Sequence, residues 1–261
     1  MRTIASRKPC NRNRVARCLT LLLTMSVTGI AMAISSAERS LFAATNQART
    51  GQGLTALKWD ETLAQAAQAH AELMVQNAQL SHQYPGEPDL APRAAQAGAH
   101  FQTIAENIAM GPSPEVIQKE WMKSPQHRAN ILDPNLTAIG IAVVERGGYL
   151  YAVADFENSV DSLTPDQVER TIEKLLLVQG VQPTPGLRQD ARQTCEMSHG
   201  IAGGSKPRFV MRWQSSDLSG LPNPLVERLR SGEYQTAAVG ACDSANAEQG
   251  FTTYRLAVLL Y

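Results

Sequence analysis

Apolar residues recur at helical spacing in three stretches of the first half of the chain. Residues three and four positions apart are apolar over 37–49 and again from Asp60 to Gln79, which predicts two helices. A third helix is predicted after Ser113, a favourable N-cap residue. Its inward face is predicted to hold Val116, Ile117, Glu120 and Trp121. Pro125 should end this helix, because the residue before a proline is disfavoured in helical backbone.

Two strands are predicted after these helices. The apolar runs Ala138 to Glu145 and Tyr149 to Phe156 are joined by Gly147-Gly148, a two-residue turn signal that predicts a β-hairpin. Residues from Pro85 to Thr103 are rich in Pro, Ala and Gly, which indicates an irregular segment. Strands do not alternate regularly with helices. The pattern therefore favours a mixed α/β (α+β) fold, an α-β-α sandwich whose sheet is largely antiparallel.

The second half, residues 161–261, has a smaller α+β pattern of its own. Thr164 and Gln167 have the spacing of a capping box, which predicts a helix at its start. Two later segments echo the first half: Leu187-x-Gln189-x-Ala191 resembles Leu63-x-Gln65-x-Ala67, and Ala238 to Ala241 resembles Ala138 to Ile141. Two interpretations stay open, a degenerate repeat of the first half or an unrelated small α+β module.

The first 33 residues have the pattern of a secretory signal peptide. Six basic residues precede an uncharged run from Cys18 to Ala33, which ends in the cleavage pattern Ala31-Met32-Ala33. The run is shorter than the ~20 residues that a membrane span needs. We therefore expect a mature chain from about Ile34, without a transmembrane segment and located in the periplasm or outside the cell.

Charge and cysteine content add two expectations. Lys+Arg and Asp+Glu number 24 each, so removing the six basic residues of the signal peptide leaves an acidic chain, 24 − 6 = 18 against 24. An acidic surface argues against nucleic acid as a partner. Of four cysteines, only Cys195 and Cys242 lie outside the signal peptide. In an oxidising compartment they should form one disulfide.

Six motifs, in this order, resemble those of the bacterial CAP (SCP-like) domain family. They are Asn46 with Arg49, Leu57-x-Trp59, Leu80-Ser81-His82, Ala105-Glu106-Asn107-Ile108, Trp121-x-x-Ser124-Pro125-x-His127-Arg128-x-Asn130-Ile131-Leu132, and Ile139-Gly140-Ile141. The resemblance implies a CAP domain over residues 34–160. It also implies an α-β-α sandwich with a large open cleft.

In that family two histidines and two carboxylates face the cleft. The resemblance matches His82, Glu106 and His127 to three of the four. The fourth position, three residues after the tryptophan, is Ser124 in this chain, and Glu120 is the nearest carboxylate that could replace it. We expect the two imidazoles to meet at the rim of the cleft and Glu106 to be the nearest carboxylate, fixing one ring by a hydrogen bond.

Simpler structural roles for the same residues also stay open. Imidazoles at helix ends can donate to backbone carbonyls, and a buried carboxylate such as Glu106 must be paired or hydrogen-bonded. Trp121 and His70 fit the core. Arg128 could pair with Asp133 or Asp155 and order its loop.

Three functions are compatible with these motifs. The first is a cleft that binds a small or extended ligand, lipid- or sterol-like, or an extracellular partner, with a divalent metal such as Zn²⁺ as an option at His82 and His127. The second is a metal-assisted hydrolase acting on peptide or cell-wall material, in which Glu106 activates water. The third is a structural or adhesive tandem module. The missing fourth carboxylate favours binding over catalysis.

Overall fold

A computed structural model describes residues 34–243 and 250–261. The predicted signal peptide, residues 1–33, lies outside the described residues. Within the described part of the chain, every helix is too short or too polar to cross a membrane.

The first half folds around a four-stranded sheet. Its helices are Ser36–Thr50 (α1), Glu61–Asn77 (α2), Leu90–Gln96 (α3), Pro114–Lys123 (α4) and Pro125–Ile131 (α5), and its strands are Lys58–Trp59 (β1), Phe101–Gly111 (β2), Ala138–Arg146 (β3) and Tyr149–Ser159 (β4). The strand order is β1-β3-β4-β2, with β1 parallel to β3 and the other neighbours antiparallel. One sheet face packs against α1, α4 and α5, and the other packs against α2. The predicted α-β-α sandwich is confirmed.

The second half has a sheet of the same strand order. Its elements are Pro165–Val178 (α6), Gln182–Pro183 (β5), a 3₁₀ turn at Pro185–Leu187, Arg188–Glu196 (α7), Phe209–Ser215 (β6), Asn223–Leu229 (α8), Thr236–Cys242 (β7) and Tyr254–Leu260 (β8). The order is β5-β7-β8-β6, and β5 is parallel to β7. Helices α6 and α8 pack on one face and α7 on the other. A domain division at residues 160 and 161 stays a prediction.

Local sequence signals account for several helix starts. The Asp60 carboxylate accepts from the Leu63 amide at 2.9 Å and so caps α2 at the predicted start of the helix. The capping box of Thr164 and Gln167 is present at the start of α6. Cys195 on α7 and Cys242 on β7 form the predicted disulfide, with their Cα atoms 5.9 Å apart.

Two local expectations were wrong, and a third was incomplete. The segment expected to be irregular contains α3 and the start of β2. Pro125 ends α4 but also opens α5, because a proline at the first helical position lacks only an amide that would be unpaired anyway. The buried face of α4 is formed by Ile117, Gln118 and Trp121, whereas Val116 and Glu120 are exposed.

Candidate functional site

The candidate site is built on Glu106, which projects from β2 and has a side chain only 3% exposed. The His82 Nδ1 lies 2.6 Å from its Oε1, so the expected hydrogen bond to one imidazole is present. Arg93, on α3, pairs with its other oxygen. A second carboxylate, Glu87, accepts from Arg93 at 3.1 Å. Both carboxylate oxygens of Glu106 therefore contact side chains of the protein itself.

His70 supports this arrangement from inside the core. Its ring is fully buried, with Nδ1 2.6 Å from Glu87 and Nε2 2.8 Å from the backbone carbonyl oxygen of Ser81. The expectation that His70 is a hydrogen-bonded core residue is therefore confirmed. Because Ser81 immediately precedes His82, the contact also fixes the backbone that carries the outer histidine.

The two outer histidines differ in electrostatic setting. The His82 side chain is 61% exposed, and its hydrogen bond with Glu106 raises its pKa above the ordinary value. His127 lies on α5 and is half-buried, and burial lowers its pKa. The charge of His82 lowers the pKa of His127 further, so the two rings interact. The two pKa shifts therefore favour the charged form of His82 and the neutral form of His127.

Amide side chains lock α5 onto β2. The Asn107 Nδ2 donates to the carbonyl oxygen of His127 at 3.0 Å, and the Asn130 Nδ2 donates to Asn107 Oδ1 at 2.9 Å. Asn130 also donates to the carbonyl oxygen of Glu106 at 3.2 Å. These bonds hold His127 beside the strand that carries Glu106, although 20 residues separate Asn107 from His127 along the chain.

Glu120 and Ser124 were also expected to belong to the site. The Glu120 side chain is 57% exposed and pairs with Lys123 at 2.8 Å, so it does not replace the fourth carboxylate. Ser124 joins α4 to α5 and makes no side-chain capping bond. Arg128 is exposed, and the loop that it was expected to order is instead held by Arg49.

Asp155 is a carboxyl group that the sequence did not assign to the site. The register of β2 against β4 places it directly opposite Glu106. It is fully buried, and burial together with the nearby Glu106 charge raises its pKa well above the usual range. Its position could not be read from the chain because β2 was not predicted. Arg93 was missed for the same reason, since it lies in the segment expected to be irregular.

A second buried carboxyl, Glu157, should make stability depend on pH. Its side chain accepts from Ser159 at 2.6 Å, and burial raises its pKa from 4.5 to about 7. The folded chain then holds a proton that the unfolded chain releases, so stability should fall as pH rises across that window. Replacing Glu157→Gln should stabilise the protein by about 1–3 kcal/mol at pH 8 and change little near pH 4.

Urea denaturation at pH 4, 6 and 8 measures this effect. Glu145→Gln, on an exposed position of β3, is the matched control and should leave the pH profile of the wild type unchanged. A Glu157→Gln profile parallel to that of the wild type would contradict the assigned pKa.

An apolar cavity of about 550 Å³ lies beside this network, between α2, the turn before α3, and α3 itself. Ala66, Ala69 and Leu73 of α2 form one wall. Glu87 and Arg93 also line it, so the cavity and the Glu106 cluster share two buried charged groups.

Comparison with known proteins identifies the domain family of the first half. Residues 42–156 match the CAP family, the cysteine-rich secretory protein family. This part of the chain is a CAP domain. The matched residues include His82, Glu106 and His127.

Two relatives come from Bacillus subtilis (strain 168). The uncharacterized protein YkwD is 38% identical over 125 residues, which are 48% of this chain and 49% of YkwD. The uncharacterized membrane protein YlbC is 31% identical over 111 residues, 42% of this chain and 32% of YlbC. The chain therefore spans half or less of the length of these relatives. An extracellular protein containing a SCP domain from Bacillus anthracis str. Ames has 28% identity and a TM-score of 0.44, covering 46% of this chain and 40% of that one.

The residues of this CAP domain fit a metal ion poorly. Among residues 34–243 and 250–261, no group of three or more His, Cys, Asp or Glu side chains is arranged to hold one. His82 and His127 supply two ligands, whereas zinc sites normally use three or four from the protein. Both oxygens of Glu106 are already engaged by His82 and Arg93.

Proposed function

We propose that this chain is an exported CAP-domain protein whose cleft binds an extracellular ligand between His82 and His127. The observation that supports the proposal is the setting of His82. Its ring is 61% exposed, yet its Nδ1 is anchored to a carboxylate that is only 3% exposed. Because the buried partner fixes the ring, the outward Nε2 is held in place for a ligand at little entropic cost.

The charge states of the pair indicate which group a ligand would present there. Glu106 raises the pKa of His82, so this ring carries its positive charge over a wider pH range than a free imidazole. The lowered pKa of His127 keeps the second ring neutral over a wider range. A charged donor beside a neutral imidazole suits a carboxylate or another anionic head group.

The adjacent cavity supports a ligand with an apolar body. Its volume of about 550 Å³ is within the usual range for small-molecule sites, and alanine and leucine side chains form much of its wall. Since Arg93 and Glu87 belong to both the cavity and the Glu106 cluster, a fatty acid is a suitable probe for the two regions together.

The competing functions have less support. A metal-assisted hydrolase needs a third protein ligand, and the arrangement of Glu106 supplies none. A structural or adhesive tandem module would be favoured by the shared strand order of the two halves. That interpretation does not explain why the exposed His82 is bonded to a buried carboxylate, that of Glu106.

A fluorescent fatty acid, cis-parinaric acid, tests the proposal by direct titration. His82→Ala should weaken its binding about tenfold, the effect of losing one charge-assisted hydrogen bond. Ala69→Trp, which fills the cavity, should abolish binding. The matched controls are His199→Ala, an exposed histidine of the second half, and Ala43→Trp, on an exposed position of α1. Both should bind as the wild type does.

Two outcomes would contradict the proposal. One is no binding of the probe by the wild type. The other is equal binding by all four variants. A parallel titration with Zn²⁺ alone addresses the hydrolase alternative, because tight binding that both His82→Ala and His127→Ala abolish would favour that function instead.

A further inference from the structure

The two halves place a helix on their sheets through the same contact. Gly140 of β3 lies directly under α2, where an added Cβ would be 2.1 Å from the Ala64 amide nitrogen. Gly240 of β7 lies under α7 in the same way, with an added Cβ 2.2 Å from the carbonyl carbon of Ala191. The two glycines therefore provide a common reference from which positions on the two sheets can be compared.

The strand pairing leads from each glycine across the sheet to an equivalent position in the two halves. The side chains at that position have opposite charges. In the first half, Gly140 pairs with Asp155, and Asp155 pairs with Glu106. In the second half, Gly240 pairs with Ala257, and Ala257 pairs with Arg212. An arginine thus stands where the first half has the carboxylate that anchors its site.

The helix above this position is shorter in the second half. Helix α2 has 17 residues and packs over Ile108 and Val153, the paired positions two residues beyond Glu106 and Asp155. Helix α7 has 9 residues. In the second half, the pair two residues beyond Arg212 and Ala257 is Gln214 and Arg255, and both of these residues are polar. The shorter helix leaves this part of the sheet face uncovered.

A cavity of about 340 Å³ occupies that space. Arg212, Gln214, Arg255 and Ser198 line it, together with Cys195 of the disulfide. Arg212 and Arg255 lie on neighbouring antiparallel strands, offset by one same-face position, which separates their backbones by roughly 7–8 Å. Two guanidinium groups at that spacing can approach one small anion from two sides.

Backbone carbonyls, rather than carboxylates, hold the two arginines. The Arg212 Nε donates to the carbonyl oxygen of Thr194 at 2.7 Å and its Nη2 to that of Gly200. Arg255 donates to the carbonyl oxygens of Asp243 at 3.1 Å and Cys195 at 3.3 Å. Neither forms an ion pair with a carboxylate of residues 34–243 or 250–261.

These bonds orient the guanidinium groups but do not use all of their N–H donors. Each guanidinium has five N–H donors in a planar fork, so donors remain on both after the carbonyl contacts. The fork matches the geometry of a phosphate or carboxylate, and the two positive charges together match a divalent anion.

We propose that this cavity is an anion site that takes a phosphoryl group between Arg212 and Arg255, with Gln214 as a further donor. The site does not depend on the ligand proposed for the first half, because none of its residues belongs to the His82–Glu106 cluster. The second half would then have a binding role of its own, built on arginines rather than on a histidine held by a buried carboxylate.

Titration of the whole mature chain with inorganic phosphate, followed by calorimetry and by the NMR signals of the arginine Nε–H groups, tests the proposal. Arg255→Gln and Arg212→Gln should each weaken phosphate binding at least tenfold. Arg146→Gln is the matched control, because Arg146 also lies on a strand and donates to a carbonyl near a helix C-terminus, that of Val75, but lies outside the proposed site. Its affinity for phosphate should equal that of the wild type.

Gln214→Glu separates binding from folding, because it leaves both arginines and their carbonyl contacts in place. The new carboxylate should occupy the guanidinium groups and lower phosphate affinity at least tenfold, with an unchanged melting temperature. No phosphate binding by the wild type, or equal affinity in the wild type and Gln214→Glu, would overturn the proposal.

Vesicles distinguish the two sources of a phosphoryl group. Binding to phosphatidylglycerol vesicles that is displaced by phosphate and absent with phosphatidylcholine would identify a lipid head group. Binding of phosphate without binding to either vesicle would identify a soluble phosphate ester. Each result supports the anion site and assigns its ligand.

Discussion

Replacing Arg49→Met should lower the free energy of unfolding by about 4 kcal/mol or more. Arg49 is 1% exposed, and its guanidinium donates to four backbone carbonyl oxygens, those of Thr55, Ile131, Asp133 and Leu136, at 2.8–3.1 Å. Methionine keeps much of the volume but leaves these carbonyls without their donor. An unpaired buried acceptor costs about 1–3 kcal/mol.

Urea denaturation with an unchanged m value is the measurement. Arg39→Met is the matched control on the same helix, because Arg39 is exposed and, among residues 34–243 and 250–261, donates to the single carbonyl oxygen of Ile34. It should change stability by less than about 0.5 kcal/mol. Equal denaturation midpoints for the two variants would show that Arg49 does not hold the loop.

The Arg49→Met substitution should also affect the candidate site. Two of the four carbonyls, those of Ile131 and Asp133, lie at the end of α5 and just after it. Helix α5 carries His127, so losing Arg49 should broaden the NMR signals of the His127 ring. The His82 ring is held by Glu106 instead and should be less affected.

Gly140→Ala should destabilise the first half by more than about 4 kcal/mol. The added Cβ would lie 2.1 Å from the Ala64 amide nitrogen and 2.3 Å from the carbonyl carbon of Leu63, both backbone atoms of α2. No rotamer change relieves an overlap with backbone, so α2 must move away from the sheet. Because α2 carries His70, this movement should also release the Glu87 contact.

Thermal unfolding followed by circular dichroism measures the loss. Gly186→Ala is the control, since an added Cβ there has no atom within 4 Å, and its stability should stay within about 1 kcal/mol of the wild type. Gly240→Ala should destabilise the second half, because its Cβ would lie 2.2 Å from α7 backbone. A Gly140→Ala variant as stable as Gly186→Ala would contradict the close packing of α2.

Local patterns were sufficient for the elements that depend on neighbouring residues. Asp60 and Thr164 indicate where their helices begin, because a capping side chain contacts an amide only three residues away. The Gly147-Gly148 hairpin also forms between adjacent runs, and the two strands pair as the turn signal indicates. The cysteine count predicted the disulfide, since two cysteines outside the predicted signal peptide leave one pairing.

Ordered motifs along the chain indicated the CAP domain and three residues of the candidate site. They could not show how Glu106 is held, because its partners come from separate elements. Arg93 reaches it from a helix in a segment that lacked a helical pattern, and Asp155 faces it across a strand pair. Glu120 is the reverse case, since its place in the sequence suggested the site while the rotation of α4 turns it towards solvent.

The sequence by itself thus determined the order of the main helices and of the hairpin strands, the disulfide and the CAP domain of the first half, all of which follow from local spacing or residue count. Only the tertiary structure decided which charges meet. Register across β2 and β4 placed Asp155 against Glu106, and register across β6 and β8 placed Arg212 near Arg255. Pairing between distant strands depends on the packing of the whole sheet, and a shift of one residue would turn each of these side chains to the opposite face.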